Sequence, residues 1–300
     1  MKPSLHEFAA LVAVLTFTVM IPLLGSQYAE IYPIDYRVYM DAATGQGDFF
    51  YPYWTLFILY PFTLLPFWLG FVVWNAVNIG CVYAACKLWG GNAVIALLSY
   101  PMLFMLFYGQ ITGLLVLCLV LYDRWIADKP YAAGIVAAIA LAKPQLAVPV
   151  LLYSALQPHV SWHKRLVSVL PTLVLFALSL LAYGDWLTAW FIRLPTAATE
   201  GSITMWAILG EWALLLWLPL GFIVPEKRRL FVICTTALSL PYFQLTGLLL
   251  LLAGLPLSLF SVLAFIGYGM LTLGWFGASL MLLLPLSVYI WIVLVHAKTQ

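Results

Sequence analysis

Two features of this sequence have the chemistry of a reacting site: a carboxylate in an aromatic loop and a lysine in an apolar segment. The carboxylate belongs to the stretch YPIDYRVYMDAATGQGDFF, Tyr32 to Phe50, which holds Asp35, Arg37, Asp41 and Asp48 with Glu30 just ahead. Asp35 sits between Ile34 and Tyr36. Around it stand Tyr32, Tyr39, Phe49, Phe50, Tyr51, Tyr53 and Trp54, rings of the kind that line a groove for sugar or lipid. A partly buried carboxylate there can take the proton of a hydroxyl as a general base. The plain alternative is a solvated acidic loop, and the spacing leaves open whether Asp35, Asp41 or Asp48 faces a cavity.

The lysine is Lys143. It follows Lys129 by 14 residues, so if Lys129 marks one interface of a membrane, Lys143 lies about 21 Å into a core of about 30 Å. A cation facing lipid at that depth costs several kcal/mol. It should face a cavity instead and bind an anion there, with snorkelling to the far headgroups as the bland alternative. Pro144 breaks the helix directly after it. Other candidates carry less. His159 and His163 have helical i, i+4 spacing but no third ligand nearby, so no metal site is expected. The sequence has no DxD or ExD pair, Walker loop, GxGxxG or nucleophile elbow, which leaves ATP-driven transport without support. The four cysteines (Cys81, Cys86, Cys118, Cys234) lie in apolar runs as small hydrophobes, and no disulfide is expected of them.

The elements that must position these residues are membrane helices. With 13 Lys and Arg and 11 Asp and Glu in 300 residues, 65% hydrophobic residues and a mean hydropathy of +1.05, the chain is far poorer in charge than the roughly 25% of a soluble domain. Between Arg229 and Lys298 lie 68 residues without a formal charge, enough to cross a bilayer about three times. Nothing alternates as the strands of a membrane barrel do. The 13 Trp and 17 Tyr, many at segment ends, suit interfacial aromatic belts.

Twelve crossings are expected, near 8–24, 67–88, 93–107, 111–122, 130–142, 145–157, 166–183, 206–224, 229–240, 242–253, 256–273 and 276–295. The first run is read as a retained helix rather than a signal sequence. Several runs are too short to span alone, and their breaks at Gly109-Gln110, Pro144 and Pro241 suggest helices meeting partway through the membrane at a recess. Residues 54–66 are read as interfacial or re-entrant. A cytoplasmic N-terminus places Lys2, Lys87, Arg124, Lys129, Lys164, Arg165, Lys227, Arg228, Arg229 and Lys298 inside, as the positive-inside rule asks. Arg37, Lys143 and Arg193 then fall toward the outer face beside Glu30, Asp35, Asp41, Asp48, Asp185, Glu200 and Glu211. Cations kept on that side against the rule are what an outward site for an anionic ligand would hold. Residues 1–300 read as a single membrane unit whose first outer loop, about 26–53, carries a short helix in DYRVYMDAA.

The pattern D..VY..A......FFYPYW..F.LYPF.LLP, Asp35 to Pro66, resembles the first outer loop of glycosyltransferase family 87, the GT-C-fold mannosyltransferases that use polyprenol-phosphate mannose. YGQITGLLVLCLVL from Tyr108, YAAGIVAAIALAKPQLAVPVLL from Tyr131 and ALSLPYFQLTGLLLLLAG from Ala237 fit the family in the same order. The resemblance implies an all-α, GT-C-like bundle with an outward-facing cavity. It implies Asp35 as catalytic base and Lys143 as the group that neutralises the leaving phosphate, with inversion at the sugar and without a metal or other cofactor. Arg37 and Arg193 are expected with Lys143 at the donor phosphate, and Gln110, Gln244, Tyr108, Tyr242 and Asp41 along the cavity. The family often carries a His or an acidic residue near SLPYFQLT, where this chain has Gln244 and Thr246.

The expected function is therefore transfer of a mannose-like hexose from a polyprenyl-phosphate donor to an acceptor hydroxyl. The place is the outer face of a bacterial plasma membrane, with both termini cytoplasmic, membrane lipids and an unidentified glycan, lipid or protein acceptor as partners, and no nucleic acid. A catalytically silent structural or lipid-binding subunit is the first alternative, and a transporter or lipid flippase the second.

Overall fold

The computed structural model describes residues 2–25, 33–46, 49–197, 204–269 and 279–296, and its regular parts are helices. Glu30, Asp48 and Glu200, three of the acidic residues assigned above to the outer side, lie outside the described residues. Proline and glycine set most boundaries. Helix α1 runs Leu5–Gly25. Helix α2, Ile34–Ala43, starts after Pro33 and ends at Thr44 and the left-handed Gly45, and its buried Tyr36, Tyr39 and Met40 form one stripe. The expected short helix of the first loop is therefore present. A run of helical turns, Tyr53–Leu64, contains α3 (Leu56–Leu59). At about 18 Å it falls short of a 30 Å core.

Helix α4, Phe67–Trp89, follows Pro66 and ends at Gly90. The expected 93–107 crossing is two helices, α5 (Ala93–Leu98) and α6 (Tyr100–Tyr108), because Ser99 takes an extended conformation and its hydroxyl caps the N–H of Met102 in a helix with Pro101 in its first turn. Then come α7 (Thr112–Trp125), α8 (Pro130–Ala140), α9 (Pro144–Ala155) and α10 (Trp162–Tyr183). Helix α11, Trp186–Ala197, was not among the expected crossings. Where 206–224 was expected to cross as one helix, a single turn, α12 (Trp206–Leu209), leads into a 3₁₀ helix over Gly210–Phe222. Helix α13 (Pro225–Ser239) stops before Pro241, and a 3₁₀ turn (Leu245–Gly247) opens α14 (Leu248–Gly254). The chain continues through α15 (Leu259–Val262), a 3₁₀ segment (Leu263–Gly269) and α16 (Leu283–His296).

Three helices among the described residues are long and apolar enough to cross a membrane: Leu5–Leu23, Phe67–Trp89 and Trp162–Tyr183. The pair α6 and α7 makes up to a fourth, bent by 119° at its break, while the shorter apolar helices run 10–17 residues. The architecture is thus an all-α bundle with three or four candidate spans and many shorter apolar helices. Small residues let the central helices approach. Ala133 and Gly134 of α8 are buried, and a side chain at Gly134 would stand 2.7 Å from Pro171 Cδ of α10. Helix α14 is buried along its whole length, as is α13 from Leu230 to Ser239, which fits helices that are apolar on every side.

Charged groups gather at one end of the bundle. Lys87 pairs with Glu7 at 3.0 Å and Arg229 with Asp123 at 3.2 Å. Asp123 also accepts hydrogen bonds from Trp89 and Ser154, and Arg124 donates to the Leu88 carbonyl. Trp74, near the opposite end of α4, lies about 20 Å away by helical rise. That opposite end carries the site.

Candidate active site

The sharp bend between α6 and α7 leaves carbonyls at the end of one helix and N–H groups at the start of the next without helical partners. In an apolar surrounding each such group is costly. Helix α4 supplies the partners. Trp74 Nε1 donates to the Gly109 carbonyl at 2.8 Å, Asn75 Nδ2 to the Leu106 carbonyl at 2.9 Å, and Asn78 Oδ1 accepts from the Leu114 N–H at 3.0 Å. Gly109 itself is left-handed (φ +71°), and a side chain there would stand 2.6 Å from Cβ of Tyr36. The break is held open by named groups, and α2 is pressed onto it.

Residues from three helix breaks meet at Lys143. Its backbone ends α8 and caps α9, and the residue is 4% exposed. The ammonium donates to Gln110 Oε1 at 3.1 Å, Thr112 Oγ1 at 3.0 Å and Gln244 Oε1 at 2.6 Å. Thr246 Oγ1 donates to Gln110 Oε1 at 2.7 Å and lies 3.0 Å from Thr112 Oγ1. Gln110 and Thr112 come from the α6–α7 break, Gln244 and Thr246 from the break between α13 and α14. Every one of these partners is neutral, so among the described residues the cation is hydrogen-bonded while no ion pair cancels its charge.

Asp35 approaches from α2, outside the candidate spans, and is half-buried. Burial pushes its carboxyl above the usual carboxylate range, and the positive charge of Lys143 and a hydrogen bond from Gln110 pull it partly back. Tyr51 joins the two charged groups. Its ring lies 5.9 Å from the Lys143 ammonium, its hydroxyl is 3.2 Å from that of Tyr39, and both tyrosines feel the Asp35 charge. The result is a base and a cation in electrostatic contact, walled by phenols and amides.

The structure brings Asp35, Lys143, Gln110 and Gln244 together, with Tyr242 close enough to Tyr51 to act on it electrostatically. The other expected residues pack as follows. Arg37 lies over the Phe67 ring at 5.5 Å, Asp41 is exposed on α2 away from Tyr36, Tyr39 and Met40, and Tyr108 packs on Phe104 with ring centroids 4.4 Å apart. Arg193 belongs to α11, and its side chain lies outside the described residues. His159 and His163 are both exposed.

Thr112 and the supporting Trp74, Asn75 and Asn78 were not singled out from the sequence, while Tyr39 and Tyr51 stood only among the rings around Asp35 and Thr246 only as a departure from the family pattern. A signal for the threonines was present. Tyr108-Gly109-Gln110-Ile111-Thr112-Gly113 and Tyr242-Phe243-Gln244-Leu245-Thr246-Gly247 are two copies of one pattern, each followed by two leucines. Asn75 and Asn78, one turn apart in a helix that is apolar up to Lys87 in its last turn, were the signal for the support.

The family model for glycosyltransferase family 87 matches residues 49–257, more than half of the chain. Lys143, Gln110, Thr112, Gln244 and Thr246 lie within the match, and Asp35 precedes it. No curated protein and no solved structure matches the chain.

Proposed function

We propose that this chain, which belongs to glycosyltransferase family 87 and is accordingly a membrane glycosyltransferase, moves a mannose-like hexose from a polyprenyl phosphate to an acceptor hydroxyl. The observation that carries this reading is the meeting of the half-buried Asp35 carboxylate with the buried Lys143 ammonium, whose hydrogen-bond partners are all neutral. Asp35 takes the proton of the acceptor hydroxyl. The freed oxygen attacks the anomeric carbon from the face opposite the phosphate, the bond from that carbon to the phosphate oxygen breaks with inversion, and the bonding pair leaves on the polyprenyl phosphate. Lys143 offsets the charge that grows there, a role in which a cation in a dry site is worth far more than in water.

A carboxyl with a raised pKa is a stronger base once ionised, which suits it to a hydroxyl. The tyrosine hydroxyls at Asp35 suit the polar edges of a sugar, and the rings its apolar faces. The outer membrane face is favoured because Lys87, Arg124 and Arg229 crowd the other end of the bundle, where the positive-inside rule places the cytoplasm. A monophosphate donor needs no divalent ion to bridge a diphosphate, and Lys143 supplies the positive charge.

The test is transfer of labelled mannose from polyprenyl-phosphate mannose to a lipid and glycan extract by purified protein, beside Asp35→Asn and Lys143→Ala. Transfer by wild type, lost in Asp35→Asn, is the expected outcome. Undiminished transfer by Asp35→Asn removes the proposed base. A wild type that transfers neither mannose nor glucose while still binding the lipid phosphate makes the silent-subunit reading the better one.

A further inference from the structure

The two Tyr-x-Gln-(Ile/Leu)-Thr-Gly turns, 134 residues apart, close on each other around a single ammonium. They do not serve it alike. In the first copy both Gln110 and Thr112 accept from Lys143. In the second only Gln244 does, while Thr246 turns to Gln110. Gln110 Oε1 accepts from Lys143, Thr112 and Thr246, and all three of those partners are buried. Displacing Gln110 would strand buried polar atoms that have lost their water.

Gln244 is placed differently. It is half-buried, its backbone is extended (φ −79°, ψ 149°) in the irregular stretch after Pro241, and its side chain makes no hydrogen bond among the described residues other than the one to Lys143. An ammonium has three protons to donate, and here Gln110, Thr112 and Gln244 take all three. An incoming phosphate can receive a hydrogen bond from Lys143 only by taking the place of one acceptor.

We infer that Gln244 is a placeholder on Lys143: the second-copy turn holds the ammonium in its working position until the phosphate of the lipid donor displaces the Gln244 amide, while Gln110, Thr112 and Thr246 stay in place as the fixed half of the cradle. The inference rests on the proposal that Lys143 receives the donor phosphate. A phosphate oxygen is the stronger acceptor, because a hydrogen bond between two charged groups is roughly twice as strong as one to a neutral group. The exchange needs only a rotation of a side chain that has no other hydrogen bond among the described residues to lose. It also gives a reason for a neutral residue at position 244: a carboxylate there would hold Lys143 as an ion pair and compete with the phosphate.

The experiment measures binding of polyprenyl phosphate, with the uncharged polyprenol as control, by the full-length protein in nanodiscs for wild type, Lys143→Ala, Gln244→Ala and Gln244→Glu. Placeholder behaviour means that Gln244→Ala binds polyprenyl phosphate as tightly as wild type or more tightly. Gln244→Glu should weaken it by about tenfold or more, and polyprenol binding should not change. If wild type binds polyprenyl phosphate and Lys143→Ala loses it, but Gln244→Ala also loses about tenfold, Gln244 contacts the ligand and the placeholder is refuted while Lys143 keeps its role. Equal binding by Gln244→Glu and wild type refutes it as well. If wild type shows no preference for the phosphate over polyprenol, or Lys143→Ala leaves binding unchanged, the phosphate role of Lys143 fails and the placeholder fails with it.

Discussion

Replacing Lys143 by methionine should separate activity from stability, and the structure gives the size of both effects. The ammonium makes three hydrogen bonds to neutral acceptors, each worth about 1.5–3 kcal/mol because one partner is charged. Against them stands the cost of burying a cation, several kcal/mol after relaxation. The two sums nearly cancel. Methionine fills a similar volume, Gln110 keeps the hydroxyls of Thr112 and Thr246, and the half-buried Gln244 can turn toward solvent. Lys143→Met should therefore change the midpoint of thermal unfolding in nanodiscs by only a few degrees in either direction. Transfer should fall about 10²–10³-fold, the usual loss when one preorganised group facing developing charge is removed. Single-turnover transfer and tryptophan-detected unfolding on the same preparation read both quantities. A variant that unfolds far earlier than wild type yet transfers at the wild-type rate in its folded fraction would show that Lys143 is a packing residue, and the argument from its uncancelled charge would be refuted.

Other consequences are as direct. Asp35 must be ionised to act as a base, and its pKa is raised by burial, so kcat/KM should climb with pH through a limb above the usual carboxylate range. Lys143 pulls that pKa down, so Lys143→Met should move the limb to still higher pH, and a limb that stays in place in the residual activity would deny the coupling. Asn78→Leu removes the acceptor of the Leu114 N–H at the start of α7 and should destabilise by about 1–3 kcal/mol, seen as a lower unfolding midpoint. Gly109→Ala meets both a left-handed backbone and the Tyr36 side chain, so α2 should detach and transfer should drop, with faster proteolysis between Pro33 and Gly45 as the readout. Tyr51→Phe keeps the ring beside Lys143 and removes the hydroxyl near Tyr39; a change in kcat/KM without loss of polyprenyl phosphate binding is expected.

The sequence alone determined the class of the protein and the places where its helices fail. So little charge in so long an apolar chain admits only a membrane helical fold, because a bilayer accepts backbone polar groups only when they are paired within the chain. Gly109, Pro144 and Pro241 announced the breaks for the same reason: each ends or reverses a helix by its own covalent geometry. Lys143 was legible as a residue turned away from lipid because a cation facing lipid at that depth is costly, and the structure buries it. The number of crossings was less legible. Residues 206–224 and 93–107 have the composition of spans, but 3₁₀ winding and the Ser99 cap decide their shape.

Only the tertiary structure decided which residues share the site. Asp35 and Tyr51 of the first loop, Gln110, Lys143 and Gln244 come from four stretches, and the apolar segments between them do not show which face turns inward. In water a buried helix face differs from an exposed one in polarity. Beside lipid tails, which are as apolar as leucine, the two faces are written in the same residues. Asp41 and Arg37 illustrate the consequence, since both share the short helix α2 with Asp35 and Tyr39, and the turn of that helix placed Tyr39 inside, Asp41 in the open and Arg37 over Phe67. The repeated Tyr-x-Gln-(Ile/Leu)-Thr-Gly pattern was visible in the chain, but that its two copies close on one ammonium is a fact of the folded molecule.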